Sequence, residues 1–207
     1  MSEREGVVKY RLDYRPSSLP VGFDAAPLAH WFHRCRDLGL IGRDPQRYDG
    51  VAFGNISQRC APGFVISGTQ TGGEAALQTW MLSWVQDFDA TSNRLKAGGP
   101  ARPSSEAMTH GQIYRTLADV GGVIHVHSPA LWRAAARLSI AVTPPDVAYG
   151  TPAMVTAVDR LLHATSSPSP GLFAMGGHED GIVAYGADLD AAGAQLVDAL
   201  ARLAART

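Results

Sequence analysis

The chain has 207 residues, 45% of them hydrophobic, and a formal net charge of −1 at pH 7. This length and composition predict a single domain over residues 1–207, in which residues 1–25 form an N-terminal extension to which the pattern assigns no structure. The sequence has no basic stripe, so nucleic acid is not expected as a partner.

The sequence composition also predicts the cellular location of the protein and the redox state of its cysteines. No apolar run approaches the roughly 20 residues that cross a bilayer, and the charged N-terminus has no apolar signal segment, so we expect a cytoplasmic protein without membrane contact. Two cysteines, Cys35 and Cys60, are too few for a disulfide framework. Reduced thiols are the simpler interpretation, and a bridge between them stays open.

Hydrophobic spacing and turn residues predict strands and helices in alternation. In the first half of the chain, the predicted elements are a helix from Ala26 to about Gly39, strands over 48–59 and 63–67, a loop over 68–73, a strand over 82–89 and a turn over 90–93. In the second half, they are helices over 104–120, 129–138 and 153–164, a strand over 122–127, a turn over 166–171, two strands joined by a glycine-rich bend within 172–186, and a helix over 188–206 that Asp188 or Asp190 could cap.

Three pairs of predicted strands are adjacent in sequence, within 51–67, 82–97 and 172–186. Adjacent strands joined by short turns pair antiparallel, whereas a doubly wound sheet needs parallel strands joined by helices. The pattern therefore favours a mixed, mostly antiparallel sheet covered by helices.

The segment GGVIHVHSP, residues 121–129, places two histidines one residue apart in an apolar run. Side chains two positions apart in a strand point to the same face, so His125 and His127 would present two imidazoles side by side. Two such ligands, with a third from elsewhere, make a metal site with an open position. A pair of structural histidines bonded to backbone or water is the alternative.

Among the seven histidines, His178 is the best candidate for a third ligand, because it lies in the bend MGGHEDG between two apolar strands. Glycines there permit close backbone approach and unusual dihedral angles. A tight hairpin with a surface histidine would have the same sequence. His30, His33 and His163 are typical of exposed helix faces or ends, and His110 is ambiguous.

The segment RPSSEAMTH, residues 102–110, combines two hydroxyls with a carboxylate at the start of a predicted helix. Hydroxyls and backbone N–H groups at a helix N-terminus can bind an anion, and Glu106 could abstract a proton next to a carbonyl. The same residues also make an ordinary helix cap. The segments FGNISQR and ISGTQTGG could bind phosphate, but they match neither the Walker pattern nor the dinucleotide fingerprint.

Four segments, taken in order, resemble the class II aldolase/adducin family: GNISQR, SGTQTG, SSEAMTHGQIYR with VIHVHSP, and GHEDGI before a strand and the final helix. The resemblance covers nearly the whole chain. It implies an α/β/α fold in which helices cover both sides of a central, mainly antiparallel β-sheet. It also implies a homotetramer with active sites at the subunit interfaces and a phosphorylated sugar as substrate.

The resemblance further implies roles for individual residues. It places a divalent metal, Zn²⁺ or another such as Mn²⁺, Co²⁺ or Fe²⁺, on His125, His127 and His178. Glu106 matches the catalytic acid/base of the family's aldolases. The positions that match those holding the substrate phosphate are Asn55, Ser67, Gly68, Ser104 and Ser105.

Two departures from the family pattern are informative. Related sugar-phosphate 4-epimerases have Asp after the Ser-Ser pair and a lysine before Ser-Gly, whereas this chain has Glu106 and no such lysine, which favours an aldolase over an epimerase. The third-ligand block usually reads Asn-His-Gly, but here His178 is flanked by Gly177 and Glu179. Glu179 or Asp180 could supply a carboxylate beside the ligand, or simply form the turn.

The implied reaction is that of a class II aldolase, a lyase that cleaves a ketose phosphate to an aldehyde and dihydroxyacetone phosphate through a metal-stabilised enediolate. This chemistry needs no Schiff-base lysine, which suits a chain whose only lysines, Lys9 and Lys96, lie in no candidate site. Tyr149 is a candidate proton donor for the aldehyde oxygen, expected to reach the site of a neighbouring subunit. A packing tyrosine in a loop is the alternative.

The family does not fix the reaction. Some relatives are dehydratases or decarboxylases of sugar, sugar-acid or sulfur-sugar phosphates, so these activities stay open. Others are adducin-like binding proteins without catalysis, and these lack the metal ligands. The presence of all three histidines in this chain argues against that last class.

Overall fold

The computed structural model describes residues 6–164 and 169–206, so the predicted turn over 166–171 begins outside the described residues. The strands are β1 (Arg11–Tyr14), β2 (Gly42–Arg43), β3 (Ala52–Phe53), β4 (Asn55–Arg59), β5 (Phe64–Ser67), β6 (Leu82–Asp89), β7 (Arg94–Gly98), β8 (Gly122–His127), β9 (Ala141–Val142), β10 (Gly171–Ala174) and β11 (Gly181–Gly186). The helices are α1 (Ala26–Asp37), α2 (Ala107–Thr116), α3 (Pro129–Arg133), α4 (Pro152–Ala164) and α5 (Leu189–Ala204).

In the described ranges, nine strands form one sheet in the order β1-β7-β6-β5-β4-β8-β11-β10-β9. The three predicted hairpins, β4–β5, β6–β7 and β10–β11, are antiparallel pairs. The two outermost pairs, β1–β7 and β9–β10, are parallel. The expected mainly antiparallel sheet is therefore confirmed, and it is larger and more mixed than hairpins alone predict.

Helices cover both faces of this sheet, because its inner strands are apolar on both sides. Ile56, Ile124 and Ile182 belong to a buried cluster that also contains residues of α1, α3 and α5. Val123 and Val183 belong to a second cluster, which contains residues of α2 and α4. The alternation follows the two-residue period of a strand. The histidines of β8 share the face of Val123, towards α2 and α4.

The N-terminal residues contain a strand that the sequence pattern missed. Arg11–Tyr14 forms β1, which pairs in parallel with Arg94–Ala97. Apolar and charged residues do alternate here, since Tyr10, Leu12 and Tyr14 pack against the second buried cluster and charged residues stand between them. The period-2 signal of a strand was therefore present in the sequence, although the apolar side of β1 is only half-buried. Its position is set by β7, a partner some 80 residues away in the chain.

The predicted helix over 129–138 was too long, since α3 ends at Arg133. The N–H of Ala135 bonds to the Trp132 carbonyl, and the N–H of Ile140 reaches back to the Ala135 carbonyl. Ser139 between them has a φ of 57°. The bond from Ile140 closes a turn through this left-handed residue instead of continuing a helix. The high helix propensity of the alanine run is therefore overridden by tertiary structure.

Helix α1 ends near Gly39 as predicted, and one of the two candidate aspartates caps α5. Gly39 has a φ of 68°, and the N–H of Leu40 bonds to the Cys35 carbonyl, which closes α1. At the start of α5, Asp188 Oδ1 accepts the N–H of Ala191 at 2.7 Å. Asp188 is therefore the cap, whereas Asp190 accepts the indole N–H of Trp31 at 2.6 Å.

The structure also bears on the cysteines and on membrane contact. Cys35 and Cys60 are both free thiols. Burial raises the pKa of Cys35 to about 12 and also raises the pKa of Cys60, so neither is a reactive thiolate. Within the described ranges, no helix is long and apolar enough to span a bilayer.

We expect Leu196→Ala to lower the free energy of unfolding by about 2–5 kcal/mol, because Leu196 is 1% exposed and its truncation leaves a cavity under α5. The neighbouring Val197 is 41% exposed, and Val197→Ala should change stability by no more than about 0.5 kcal/mol. Urea denaturation of the two variants measures the difference. Equal losses would contradict this packing of α5.

Candidate metal centre

Strand pairing brings three histidines together. His125 and His127 lie on one face of β8, and the bend between β10 and β11 carries His178 to them, because β11 pairs antiparallel with β8. Each of the three histidines has a ring nitrogen that lies within 4.8 Å of a ring nitrogen of the other two. None of the three residues is more than 4% exposed. The resulting group is called the histidine cluster below.

His125 and His127 are held in the neutral form that binds metal ions. His125 Nδ1 lies 3.2 Å from the Ile182 carbonyl oxygen, to which only a protonated nitrogen can donate. Its Nε2 then carries the lone pair, and that atom has no hydrogen-bond partner in the described part of the chain. Burial, reinforced by the neighbouring His178, holds the pKa of His125 and of His127 well below the usual value.

Gly181 keeps the space beside the histidine cluster open. A Cβ at this position would lie 3.2 Å from His178 Nδ1 and 3.3 Å from His125 Cε1. Any side chain there would enter the region between these imidazoles. Converging neutral nitrogen donors, a buried lone pair and this open space fit a divalent cation, and imidazole donors suit zinc and other transition metals.

Glu106 places a carboxylate beside the histidine cluster. It immediately precedes α2, and its Oε1 lies 3.7 Å from His178 Nδ1. Its Oε2 accepts a hydrogen bond from Thr109 Oγ1 at 3.0 Å, and the residue is 1% exposed. Ser104 Oγ accepts the N–H of Glu106 at 3.3 Å. The Ser-Ser-Glu segment forms a local turn before α2 and delivers a carboxylate to the site, and no side chain in the described ranges makes the cap of α2 that the sequence had suggested.

The residues expected to hold phosphate lie on three neighbouring segments. Asn55, at the start of β4, pairs with His125 across the strands. Gly68, after β5, forms an isolated bridge with Pro103, which brings the loop after β5 next to the segment before α2. Besides Gly68, the expected residues, all at most 5% exposed, are Asn55, Ser67, Ser104 and Ser105.

Some of these polar groups already have partners. Ser67 Oγ accepts the N–H of Ile56 at 3.1 Å, and Ser104 Oγ accepts the N–H of Glu106. A hydroxyl that accepts an N–H can still donate its own proton. Asn55 Oδ1 has no hydrogen-bond partner within the described ranges. The structure brings the five expected residues together, and their contact with a phosphate stays a prediction.

His110, which the sequence left ambiguous, is a buried structural residue. Its Nδ1 lies 2.7 Å from Ser57 Oγ, which in turn lies 2.8 Å from the Tyr114 hydroxyl. Burial lowers the pKa of His110 to about 3, so it is neutral. A charge on His110 would oppose protonation of His125, which indicates that the two rings are near each other.

Sequence reasoning missed Tyr48, which lies against the histidine cluster. Its ring centroid is 4.7 Å from that of His127, and its hydroxyl donates to Asp180 Oδ2 at 2.6 Å. Tyr48 and Asp49 both have left-handed backbone, with φ of 51° and 55°. The Asp-Gly pair at 49–50 signals a turn, but not the strained conformation that directs Tyr48 to the site.

Asp180 and Glu179 do not supply a carboxylate to the histidine cluster in the way that the sequence suggested. Asp180 is buried, but its Oδ2 accepts from Tyr48 and lies 3.7 Å from the Arg47 guanidinium. Glu179 is exposed at the side of a cleft that reaches His178. The cleft has a volume of about 480 Å³, and its aromatic lining is Tyr48, Trp132 and Tyr149.

Two expectations about Tyr149 and Lys9 need correction. Tyr149 was expected to reach a neighbouring subunit, but its ring stacks on His178 of the same chain, with centroids 4.5 Å apart. Lys9 was placed in no candidate site. Its Nζ lies 3.9 Å from the centroid of the Tyr149 ring and donates to the Tyr149 carbonyl at 3.0 Å.

The sequence-family model for the class II aldolase and adducin N-terminal domain matches residues 44–205. Among curated proteins, a methylthioribulose-1-phosphate dehydratase from Gluconacetobacter diazotrophicus is 34% identical over 102 residues, which cover 48% of this chain and 47% of that protein. The protein of the same name from Acidiphilium cryptum is 34% identical over 122 residues, which cover 55% of this chain and 51% of that protein. The chain thus spans about half the length of these curated relatives.

Two solved structures are similar to the fold. The L-fuculose-1-phosphate aldolase from Thermus thermophilus aligns with a TM-score of 0.64 at 19% identity, over 87% of this chain and 93% of that one. A sugar-phosphate aldolase from Thermotoga maritima aligns with a TM-score of 0.62 at 14% identity, over 85% of this chain and 91% of that one. Identities this low show a shared fold alone.

We expect His127→Ala to abolish tight zinc binding, because the two remaining histidines would hold the ion poorly. The matched control is His163→Ala, since the side chain of His163 on α4 is 68% exposed. Each protein is stripped of metal with a chelator, incubated with excess zinc, desalted and analysed for zinc by mass spectrometry. About one ion per chain is expected in the control, and the same content in His127→Ala would refute the assignment.

Proposed function

The chain belongs to the class II aldolase and adducin family, and on that premise we propose that it is a metal-dependent lyase acting on a phosphorylated ketose. The observation that carries the proposal is a buried carboxylate, Glu106, 3.7 Å from one ring of the histidine cluster. A divalent cation such as zinc, held by His125, His127 and His178, would supply Lewis-acid polarisation of a substrate carbonyl.

Dehydration is the reaction that we propose first. The curated relatives carry the name methylthioribulose-1-phosphate dehydratase, which supports loss of water from a ketose 1-phosphate. In that reaction Glu106 removes the proton from the hydroxyl-bearing carbon next to the carbonyl. The electron pair of the C–H bond forms a C=C bond as the hydroxyl on the following carbon leaves, with a proton, as water. The product is the enol of an α-dicarbonyl compound.

The other residues then bind the substrate and supply protons. Tyr149 lines the cleft beside His178, and we assign to it the proton that the leaving oxygen takes up. Its hydroxyl accepts the N–H of Val7 at 3.1 Å, and a tyrosine hydroxyl can act both as acceptor and as donor. The phosphate would be bound by the polar groups and backbone of Asn55, Ser67, Gly68, Ser104 and Ser105.

Aldol cleavage is the second candidate, because Glu106 follows the Ser-Ser pair as in the aldolases that the sequence resembles. The two reactions share the role of Glu106 at the carbon next to the carbonyl. They differ in the bond that breaks, which is C–O in dehydration and C–C in aldol cleavage. In the cleavage direction, Glu106 protonates the carbon that the lost aldehyde leaves behind.

The reactions are separated by their products. The zinc-loaded protein is incubated with a panel of ketose 1-phosphates that includes 5-methylthioribulose 1-phosphate. Dehydration gives an α-dicarbonyl product, which condenses with 1,2-diaminobenzene to an absorbing quinoxaline. Aldol cleavage gives dihydroxyacetone phosphate, detected by enzymatic reduction with NADH. We expect the first product, and the absence of both across the panel would refute the lyase proposal.

We expect Glu106→Gln to lower kcat by about 10²–10⁴-fold with unchanged zinc content, because the amide cannot take up the proton. Glu74 is exposed and serves as the matched control, so Glu74→Gln should retain wild-type kcat. Steady-state kinetics and zinc analysis are performed on the same preparations. Activity of Glu106→Gln within a factor of three of wild type would remove Glu106 from its proposed role.

A further inference from the structure

Residues 7–10 lie outside the part of the chain that the family model matches, which is 44–205, yet they contact the site. The N–H of Val7 donates to the Tyr149 hydroxyl at 3.1 Å. The Lys9 ammonium donates to the Tyr149 carbonyl at 3.0 Å and lies 3.9 Å from the centroid of its ring. Residues 7–10 are called the N-terminal strap below.

Tyr149 transmits these contacts to the histidine cluster. Its ring is stacked on the His178 imidazole at 4.5 Å, with 25° between the planes, and Tyr149 is 1% exposed. The loop that holds Tyr149 is bridged to the bend of His178, since Ala148 forms a parallel bridge with Gly177. A shift of the Tyr149 ring would therefore change the orientation of the His178 ring.

The N-terminal strap is itself anchored away from the site. The Lys9 carbonyl accepts the side-chain N–H of Asn93 at 2.9 Å, and β1 follows directly in parallel with β7. On the other side, the Tyr10 hydroxyl donates to the Ser104 carbonyl at 2.8 Å, two residues before Glu106. The strap thus connects the edge of the sheet to the segments that carry His178 and Glu106.

We propose that Lys9 is a positioning residue for the histidine cluster, which fixes the His178 ring, through Tyr149, in the orientation that binds the metal ion. The inference rests on the metal centre proposed above and adds a residue outside the family match. An ammonium over an aromatic face and a charged hydrogen bond to the same residue hold that residue in one place. Partners that orient metal-binding histidines typically change metal affinity 10–100-fold when they are lost.

The test compares zinc affinity in four proteins: wild type, Lys9→Met, Lys9→Arg and Lys96→Met. Lys96 is the one other lysine of the sequence and lies exposed on β7, so its variant is the matched control for loss of a lysine charge. Metal-free protein is titrated with zinc against a chromogenic chelator. Lys9→Met is expected to bind zinc about tenfold more weakly. Lys9→Arg, which keeps the cation and donor, should bind within threefold of wild type, as should Lys96→Met.

Cobalt spectroscopy separates positioning from general destabilisation. The visible bands of bound Co²⁺ report ligand geometry, and we expect them to shift in Lys9→Met but not in Lys9→Arg. A substitution that only destabilised the fold would lower the unfolding temperature of the metal-free protein while leaving the cobalt spectrum and the zinc affinity of the folded protein unchanged. Zinc affinity and cobalt bands equal to wild type in Lys9→Met would overturn the inference.

If Lys9→Met does not fold, zinc affinity is compared instead between two variants of Tyr149. Tyr149→Phe keeps the ring that stacks on His178, and Tyr149→Leu removes it, so only the second should lose about tenfold in zinc affinity. Equal affinities in the two would overturn the inference. Wild-type protein that binds no zinc would refute the metal centre together with it, whereas tight wild-type binding with no effect of Lys9→Met or Tyr149→Leu would refute the role of Lys9 alone.

Discussion

The burial of three imidazoles side by side is the constraint on which the rest of the structure depends. A buried charge is costly, and like charges this close oppose one another, so burial disfavours protonation of His125 and His127. The Ile182 carbonyl fixes the tautomer of His125, and the glycine at 181 keeps the rings from being displaced. An ordered group of nitrogen donors is the result, and neutral imidazole is the form in which histidine binds a metal ion.

The sheet enforces this arrangement through register. Asn55 lies opposite His125 on one side of β8, and Gly181 lies opposite His127 on the other. Because β8 is buried on both faces, a slip of one residue would turn both histidines into the apolar cluster around Ile124. Because Ile124 and Val126 must face that apolar cluster, His125 and His127 are fixed on the opposite face of the strand. This explains why an apolar strand carries the two polar residues at its end.

Features that depend on local pattern were predictable from the sequence. Hairpins follow from adjacent strands, and the two-residue period of a strand places His125 and His127 on one face. Features that depend on distant partners were predicted only where a family resemblance pointed to the partner, as it did for His178. The short β1 alternates charged and apolar residues, but its partner β7 lies some 80 positions away in the chain. Lys9 and Tyr149, which are in contact, are 140 positions apart. The placement of Tyr149 failed for the same reason, since nothing in AYGT indicates its contact with His178.

The contacts around the site also determine when in folding it can form. The hydrogen bond from Val7 to Tyr149 joins residues that are 142 positions apart in the sequence, and the bond from Tyr48 to Asp180 joins residues 132 positions apart. Loop-closure entropy must be overcome before such non-local contacts contribute, so topologies of this kind fold slowly. No short stretch of the described chain contains the whole histidine cluster, and the site is complete only when the centre of the sheet is assembled. Capture of a metal ion would therefore report the native state as a whole, in contrast to small zinc modules whose ligands lie on a few adjacent turns.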